Sequence, residues 1–474
     1  MSKLKQKMEP ISAKVDRVVS NVFLPGKSNT MRRRSIPSCV SVEDLSRQIL
    51  PCLLDLGEAL LVTGADVNLV ERLIRHVGYA YGAAKMNVLV ITASIIVTLT
   101  LPNGREYTQT RRVETAGSTD FAKLEKLTRL CSSCVREPVA PKVLRARLKA
   151  ILDEPFPRLA LYLGGILAAA FFAVFFGGSP LDAVVAGIFA IFSCWLLEYF
   201  KPYTPNTIAF NFVASFLSGI GIGLLAHVLP GLSIDMAIIG IIMLLIPGVA
   251  MTNATRDMIS GDTISGVMRF IESLLWATAL VLGFMAALLL TGAGDLQARV
   301  TASPTIQLIM AVPATLGFAL FFNVRKGLIP WATLGGLLTE GIYLIGTTFV
   351  SGGDVFMPCL AASVFAAFYA EVLSRVFRAP TSIFFIISVI PLIPGRGLFY
   401  TMKNAVQTNW VECGSFALLT LQYAVAIAIG ITIVWACVQT WQNWRDQQIL
   451  KRHGDPLVNE IVSDESLNTP SDNS

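Results

Sequence analysis

The chain has 474 residues, 54% of them hydrophobic and 15% charged, with a formal net charge of +6. A soluble domain carries roughly a quarter charged residues, so the composition excludes a cytosolic enzyme, a disordered chain and a fibrous chain. Charge is unevenly placed: residues 1–157 hold 24 of the 38 Lys and Arg and 15 of the 32 Asp and Glu, residues 158–441 hold 11 of each sign, and the last 33 hold 3 basic and 6 acidic residues.

Residues 1–40 are polar, lack apolar periodicity and carry the basic cluster Arg32-Arg33-Arg34. They read as a flexible basic arm lying near anionic lipid. No apolar signal-peptide core follows Met1, which places this end in the cytoplasm. Residues 41–157 read as a small α+β cytoplasmic N-terminal domain. Ser41-Val-Glu-Asp44 has the form of a capping box, and Leu45, Ile49, Leu53, Leu56 and Leu60 follow at helical spacing until Gly64. A second helix is predicted from Asp66 to Tyr81. Residues 86–100 are dense in β-branched side chains and read as one strand, turned back at Pro102-Asn103-Gly104 into a partner over 105–113. Amphipathic helices over 120–136 and 142–152 complete the domain. The 8 cysteines are scattered rather than framed for disulfides, and Cys131-Ser-Ser-Cys134 reads as two reduced thiols on a helix.

Ten apolar runs follow, at 159–176, 181–200, 207–229, 234–247, 270–290, 305–322, 328–350, 355–373, 381–394 and 415–438. Most approach the ~20 residues that a helix needs to cross the hydrocarbon core; the fourth and ninth are short. With the head inside, the inner loops carry Lys201, Arg256, Arg269, Arg325, Lys326, Arg375, Arg378 and Arg445. The outer loops carry only Arg299, Arg396 and Lys403. That bias predicts a polytopic α-helical membrane protein of about ten transmembrane helices, with both termini cytoplasmic and a polar acidic tail over 441–474.

The fourth run ends Met243-Leu-Leu-Ile-Pro247-Gly248 and the ninth ends Ile390-Pro-Leu-Ile-Pro394-Gly395, 147 residues later. Phe175-Phe176 in the first run is answered by Phe321-Phe322 in the sixth. The body therefore reads as two five-helix units, 158–291 and 305–440. An odd number of crossings per unit makes a five-plus-five inverted repeat, the architecture of many secondary transporters. The two short Pro-Gly segments, one expected near each face, point to the substrate site, because a broken helix offers unpaired backbone groups to a cavity.

Between the fourth and fifth runs, Thr252-Asn253-Ala-Thr-Arg256-Asp257 leads through Asp262 to Arg269. It reads as a polar loop in which Asn253, Arg256 and Arg269 suit a carboxylate and Asp257 and Asp262 suit an ammonium group. With Pro247, Gly248, Pro394 and Gly395 these are the candidate substrate-binding residues. Ionisable groups within spans are costly and mark function. Glu340, near the middle of the seventh run, is the first candidate for proton coupling; Glu371 is the second, although Arg375 four residues on suggests a helical ion pair. His76, His227 and His453 lie too far apart in sequence for a metal site. No phosphate-binding loop, dinucleotide glycine pattern, nucleophile elbow or HExxH occurs, so neither cofactor nor metal is expected and transport should run on an ion gradient.

The chain resembles the threonine/serine exporters. The resemblance rests on Leu56-Gly57-Glu58 through Gly64-Ala-Asp66, Val70-Glu71-Arg72, the β-rich stretch to Thr100, the Arg256-Asp257-Met-Ile-Ser-Gly-Asp262-Thr-Ile-Ser-Gly266 stretch with Arg269, and Pro391-Leu-Ile-Pro-Gly395 with Tyr400. It implies an inner-membrane, multi-pass carrier that exports threonine and serine, driven by the proton-motive force. The expected partners are a small zwitterionic or anionic substrate, protons and the bilayer, with no nucleic acid; homo-oligomerisation is open. In related systems with separate halves a dicarboxylate such as succinate is exported, which is the alternative. A membrane-tethered hydrolase or a regulatory domain in residues 41–157, drawing on Asp55, Glu58, Asp66 and Glu71, is the alternative of another class.

Overall fold

The computed structural model describes residues 42–91, 93–113, 119–204, 206–259, 261–292, 302–349 and 354–453. The basic arm and most of the acidic tail lie outside them. The head begins with helices α1 (Val42–Val62) and α2 (Val67–Ala80), then strands β1 (Lys85–Ile91), β2 (Ser94–Thr100) and β3 (Glu106–Arg112), then α3 (Phe121–Arg136) and α4 (Pro141–Leu152). Gly64 makes the turn after α1 at φ +103°, a conformation open chiefly to glycine. Asp66 then caps α2 by accepting from the Leu69 N–H at 2.8 Å.

The expected single strand over 86–100 is two strands. β1 pairs with β2 antiparallel, Ile91 opposite Ser94, and β2 pairs with β3, Thr100 opposite Glu106, giving a three-stranded meander. The reversal lies between Ile91 and Ser94, where the sequence carries no glycine, proline or asparagine to announce it. Ile95, Val97 and Leu99 alternate inward against Leu56 and Leu60 of α1 and Val70 and Ile74 of α2, all buried.

The body contains α5 (Arg158–Phe175), α6 (Pro180–Tyr199), α7 (Thr207–Val228), α8 (Ile234–Leu245), α9 (Gly248–Ile259) and α10 (Thr263–Thr291). It continues with α11 (Pro304–Phe321), α12 (Ile329–Phe349), α13 (Phe356–Phe377), α14 (Thr381–Val389), α15 (Gly395–Val406) and α16 (Trp410–His453). Among the described residues seven helices are long and apolar enough to cross a membrane, or nine spans if each bent pair counts as one. Those pairs are α8 with α9, bent by 54°, and α14 with α15, bent by 50°. The count is thus seven to nine by length and composition, against the ten expected. α12 falls short because Thr333, Gly335, Gly336, Thr339 and Glu340 dilute its apolar stretch. The chain is a multi-pass membrane protein.

One expectation is corrected outright: the polar loop is mostly helix. Pro247 stops α8, the chain restarts at Gly248 as α9, and Gly261 at φ +97° turns it into α10, which begins at Thr263 instead of near 270. Packing within the body is paired. α5 packs on α6, α7 on α10 and α9 on α10; in the same pattern α11 packs on α12, α13 on α16 and α15 on α16. The two sets meet along α5 and α11, where Gly164 and Gly317 let backbone touch backbone. A Cβ on Gly317 would lie 2.4 Å from the Ala168 nitrogen, and one on Gly164 would lie 2.7 Å from the Gly317 oxygen.

Candidate transport site

Proline and glycine set the site. Pro247 has no N–H to return to the Met243 carbonyl, and the Gly248 N–H turns to the Ile246 carbonyl at 2.7 Å. The Gly395 N–H likewise turns to the Ile393 carbonyl at 2.8 Å. Each break therefore leaves carbonyls at the end of one helix and amide groups at the start of the next without their usual helical partners. The breaks also lie against each other. A Cβ on Gly248 would come within 2.9 Å of the Ile393 Cδ1, and one on Gly395 within 2.4 Å of the Met243 Sδ. They were expected one near each face; the fold brings them together in the interior.

A cavity of about 1040 Å³ reaches from the underside of the head to the first break. Leu244 through Ala250 form its inner end. Asn206 and Asn211 of the α7 side, Asn253 of α9, and Arg269, Glu272 and Trp276 of α10 line its walls. Near its mouth Glu198 accepts from Arg158 at 2.7 Å and from the Tyr162 hydroxyl at 2.9 Å. The volume is at the upper end of the roughly 300–1,000 Å³ typical of small-molecule sites. Amide side chains, the Arg269 guanidinium, the Glu272 carboxylate and open backbone groups can together receive both ends of an amino acid.

The predicted residues divide into groups. Pro247, Gly248, Asn253 and Arg269 line the cavity. Asp257 and Asp262 instead hold the head. Asp257 Oδ1 accepts from the Val67 N–H at 3.1 Å, in the first turn of α2, while its Oδ2 accepts from Arg269 at 2.9 Å. Asp262 Oδ2 accepts from Asn68 at 2.8 Å, and Asn253 donates to the Gly64 carbonyl at 3.1 Å. The side chain of Arg256 lies outside the described residues. Pro394 and Gly395 form the second break, beside the first but outside the cavity wall. Glu371 is bonded to Arg375 at 2.6 Å and accepts from Thr381 at 3.3 Å; with Thr252 and Asn253 it borders a separate gap of about 40 Å³. Glu340 sits apart inside the second helix set, 1% exposed, with no hydrogen bond or ion pair among the described residues.

Acids crowd the junction between head and body. Burial pushes the Asp262 carboxyl above its ordinary range, against its Asn68 hydrogen bond, and nearby Asp66 adds to the rise. Burial likewise raises Glu71, opposed by the Val90 N–H that it accepts at 2.9 Å. The head's other acids are engaged as well: Asp55 and Glu58 share Arg111 at 2.8 and 3.0 Å. They hold β3 and α1 together instead of forming an acid–base pair open to a substrate. On the α11 side, Asp120 accepts from Asn323 at 2.9 Å and the Phe121 N–H donates to the Phe322 carbonyl at 3.0 Å. The head is thus bonded to both helix sets. Sequence reading missed Asn211, an amide inside an apolar run that should have stood out, and the pair Asp235 and Tyr400, whose 165-residue separation gives no sign of contact.

A family model of threonine/serine exporters matches residues 52–291, and a second, described as Threonine/Serine exporter, ThrE, matches residues 307–437. The chain is 23% identical over 411 residues to the "Probable threonine/serine exporter" of Mycobacterium tuberculosis (strain ATCC 25618 / H37Rv), covering 83% of this chain and 77% of that protein. It is 23% identical over 404 residues to the "Threonine/serine exporter" of Corynebacterium glutamicum, covering 80% of each. No solved structure matches the chain. These likenesses are to transporters, not enzymes, and none points to a dicarboxylate carrier. The paired models cover both helix sets and most of the head: the chain belongs to the threonine/serine exporter family.

Proposed function

We propose that the chain exports threonine and serine from the cytoplasm, using the cavity beneath the head as its cytoplasmic entrance and the two crossed helix breaks as its binding centre. The observation that carries this reading is the cavity ending at the Ile246-Pro247-Gly248 break while the second break packs against the first. Threonine and serine are zwitterions with a hydroxyl, and open carbonyls, open amides and the Asn253 and Asn211 amides answer all three groups. The two helix sets act as an inverted repeat, supported by their matched packing, and rocking one set on the other around the α5–α11 seam would alternate access. The head sits on the cytoplasmic side of an inner membrane, in keeping with the distribution of Lys and Arg.

Export is driven by protons, with Glu340 as the carrier. An ionisable group this deep in a span is costly unless it serves a function, and Glu340 has no cation beside it among the described residues. Glu371 fits this role less well, because Arg375 already neutralises it. The test is release of labelled threonine from proteoliposomes holding the full chain. Release should quicken with acid outside, serine should compete, and succinate should not. Release that no protein-dependent component exceeds overturns the assignment.

A further inference from the structure

The seam between α8 and α15 lies at the end of the body opposite the head. α8 starts there, with the Ser233 N–H donating to Asp182 Oδ1 at 2.7 Å, and α15 runs outward from the central break to reach it. Across this seam the Tyr400 hydroxyl donates to Asp235 Oδ2 at 2.7 Å. Both side chains are buried, Tyr400 at 1% and Asp235 at 3% exposure. The Tyr400 ring is fixed on three sides. It stacks on Phe416 at 5.1 Å, meets Phe399 edge-on at 5.4 Å, and carries the Lys403 ammonium at 5.4 Å from its centre. Arg396 lies 5.6 Å from the same ring.

The matching seam on the head side joins α9 to α14, with Thr252 and Asn253 facing Thr381 and Ser382. There the helices leave a gap of about 40 Å³. One seam is bonded across by Tyr400 and Asp235 while its counterpart encloses a small gap, and the large cavity lies on the head side. We infer that Asp235 and Tyr400 form the gate that seals the carrier on the side opposite the head. Exposure of the site to that side breaks the Tyr400–Asp235 bond, and Thr252 and Asn253 then close on Thr381 and Ser382. This inference rests on the transport reading, because a gate needs two accessible states.

The test uses the full chain in vesicles of known orientation, with Cys39→Ser, Cys413→Ser and Cys437→Ser to remove background thiols and Ala250→Cys as a reporter in the cavity wall. A membrane-impermeant maleimide is applied from each side. The otherwise unaltered chain should label from the head side and resist labelling from the other. Loss of a buried hydrogen bond to a carboxylate should raise far-side labelling on the order of tenfold in Tyr400→Phe. Asp235→Asn, which keeps an acceptor without the charge, should give a smaller rise. Head-side labelling and a single gel-filtration peak check that each variant is folded. Far-side labelling unchanged in both folded variants overturns the gate. The readout uses no substrate, so it stands apart from the proposed cargo. Missing threonine flux with raised far-side labelling would refute the cargo alone, whereas normal flux with unchanged labelling would refute the gate alone.

Discussion

Asp257 divides its carboxylate between two elements, taking the Val67 N–H on one oxygen and Arg269 on the other while fully buried. Removing it orphans a guanidinium that is itself only 12% exposed. Asp257→Ala should therefore destabilise the junction by about 3 kcal/mol, as expected for breaking one partner of a buried pair. A thermal-shift comparison in detergent reads this directly, and an unchanged midpoint refutes it. Glu71 gives a pH prediction. Its folded pKa is raised above the ordinary 4.5, so its contribution is fully present below that value and is lost as pH climbs through the raised one. Hydrogen exchange over α2 should quicken from mildly acid to alkaline pH more steeply than intrinsic exchange, and Glu71→Gln should flatten that excess. Glu340→Gln should remove most of the stimulation of threonine release by a pH gradient while leaving exchange without a gradient; full stimulation would remove Glu340 as the proton carrier. Sequence alone showed that these side chains stand in an unusual place. It could not show that Asp257 faces a backbone amide 190 positions away, because an amide carries no residue signature.

At the level of elements, legibility depended on what each helix buries. The Ile-Pro-Gly stops were plain, since proline ends a helix whatever surrounds it. The restart as α9 was hidden because its inward stripe, Val249, Asn253, Ala254 and Asp257, mixes apolar and polar side chains. Periodicity in hydrophobicity cannot see a buried face that is half polar. The one-strand reading of 86–100 failed for a related reason: the chain reverses between Ile91 and Ser94, where no glycine, proline or asparagine marks a turn. Asp66 and Asp120, by contrast, were legible as helix starts and do cap α2 and α3. The α5–α11 seam yields a sharp test. Gly317→Ala places a methyl against backbone atoms of α5, which cannot move aside as a side chain can. It should cost about 1–3 kcal/mol by overpacking, read as a lowered midpoint in thermal unfolding, while Gly414→Ala, with no neighbouring atom within 4 Å, should leave the midpoint unchanged.

For the whole molecule, the two Ile-Pro-Gly endings read from the sequence lie in two bent helix pairs that pack against each other at one centre. The head is bonded to α9 and the start of α10 on one side and to Asn323, just past α11, on the other, and so bridges the two helix sets. On the proposed function, its position over the cavity places it at the substrate entrance, and loosening the junction should alter flux. On the same proposal, one amino-acid path runs through the crossed breaks. The most direct measurement is labelled-threonine release from proteoliposomes with Gly248→Leu beside the unaltered chain, both checked for monodispersity. A leucine there fills the space where Ile393 crosses Gly248, so gradient-driven release is expected in the unaltered chain and should be almost completely lost in the variant. Equal release from both would contradict it.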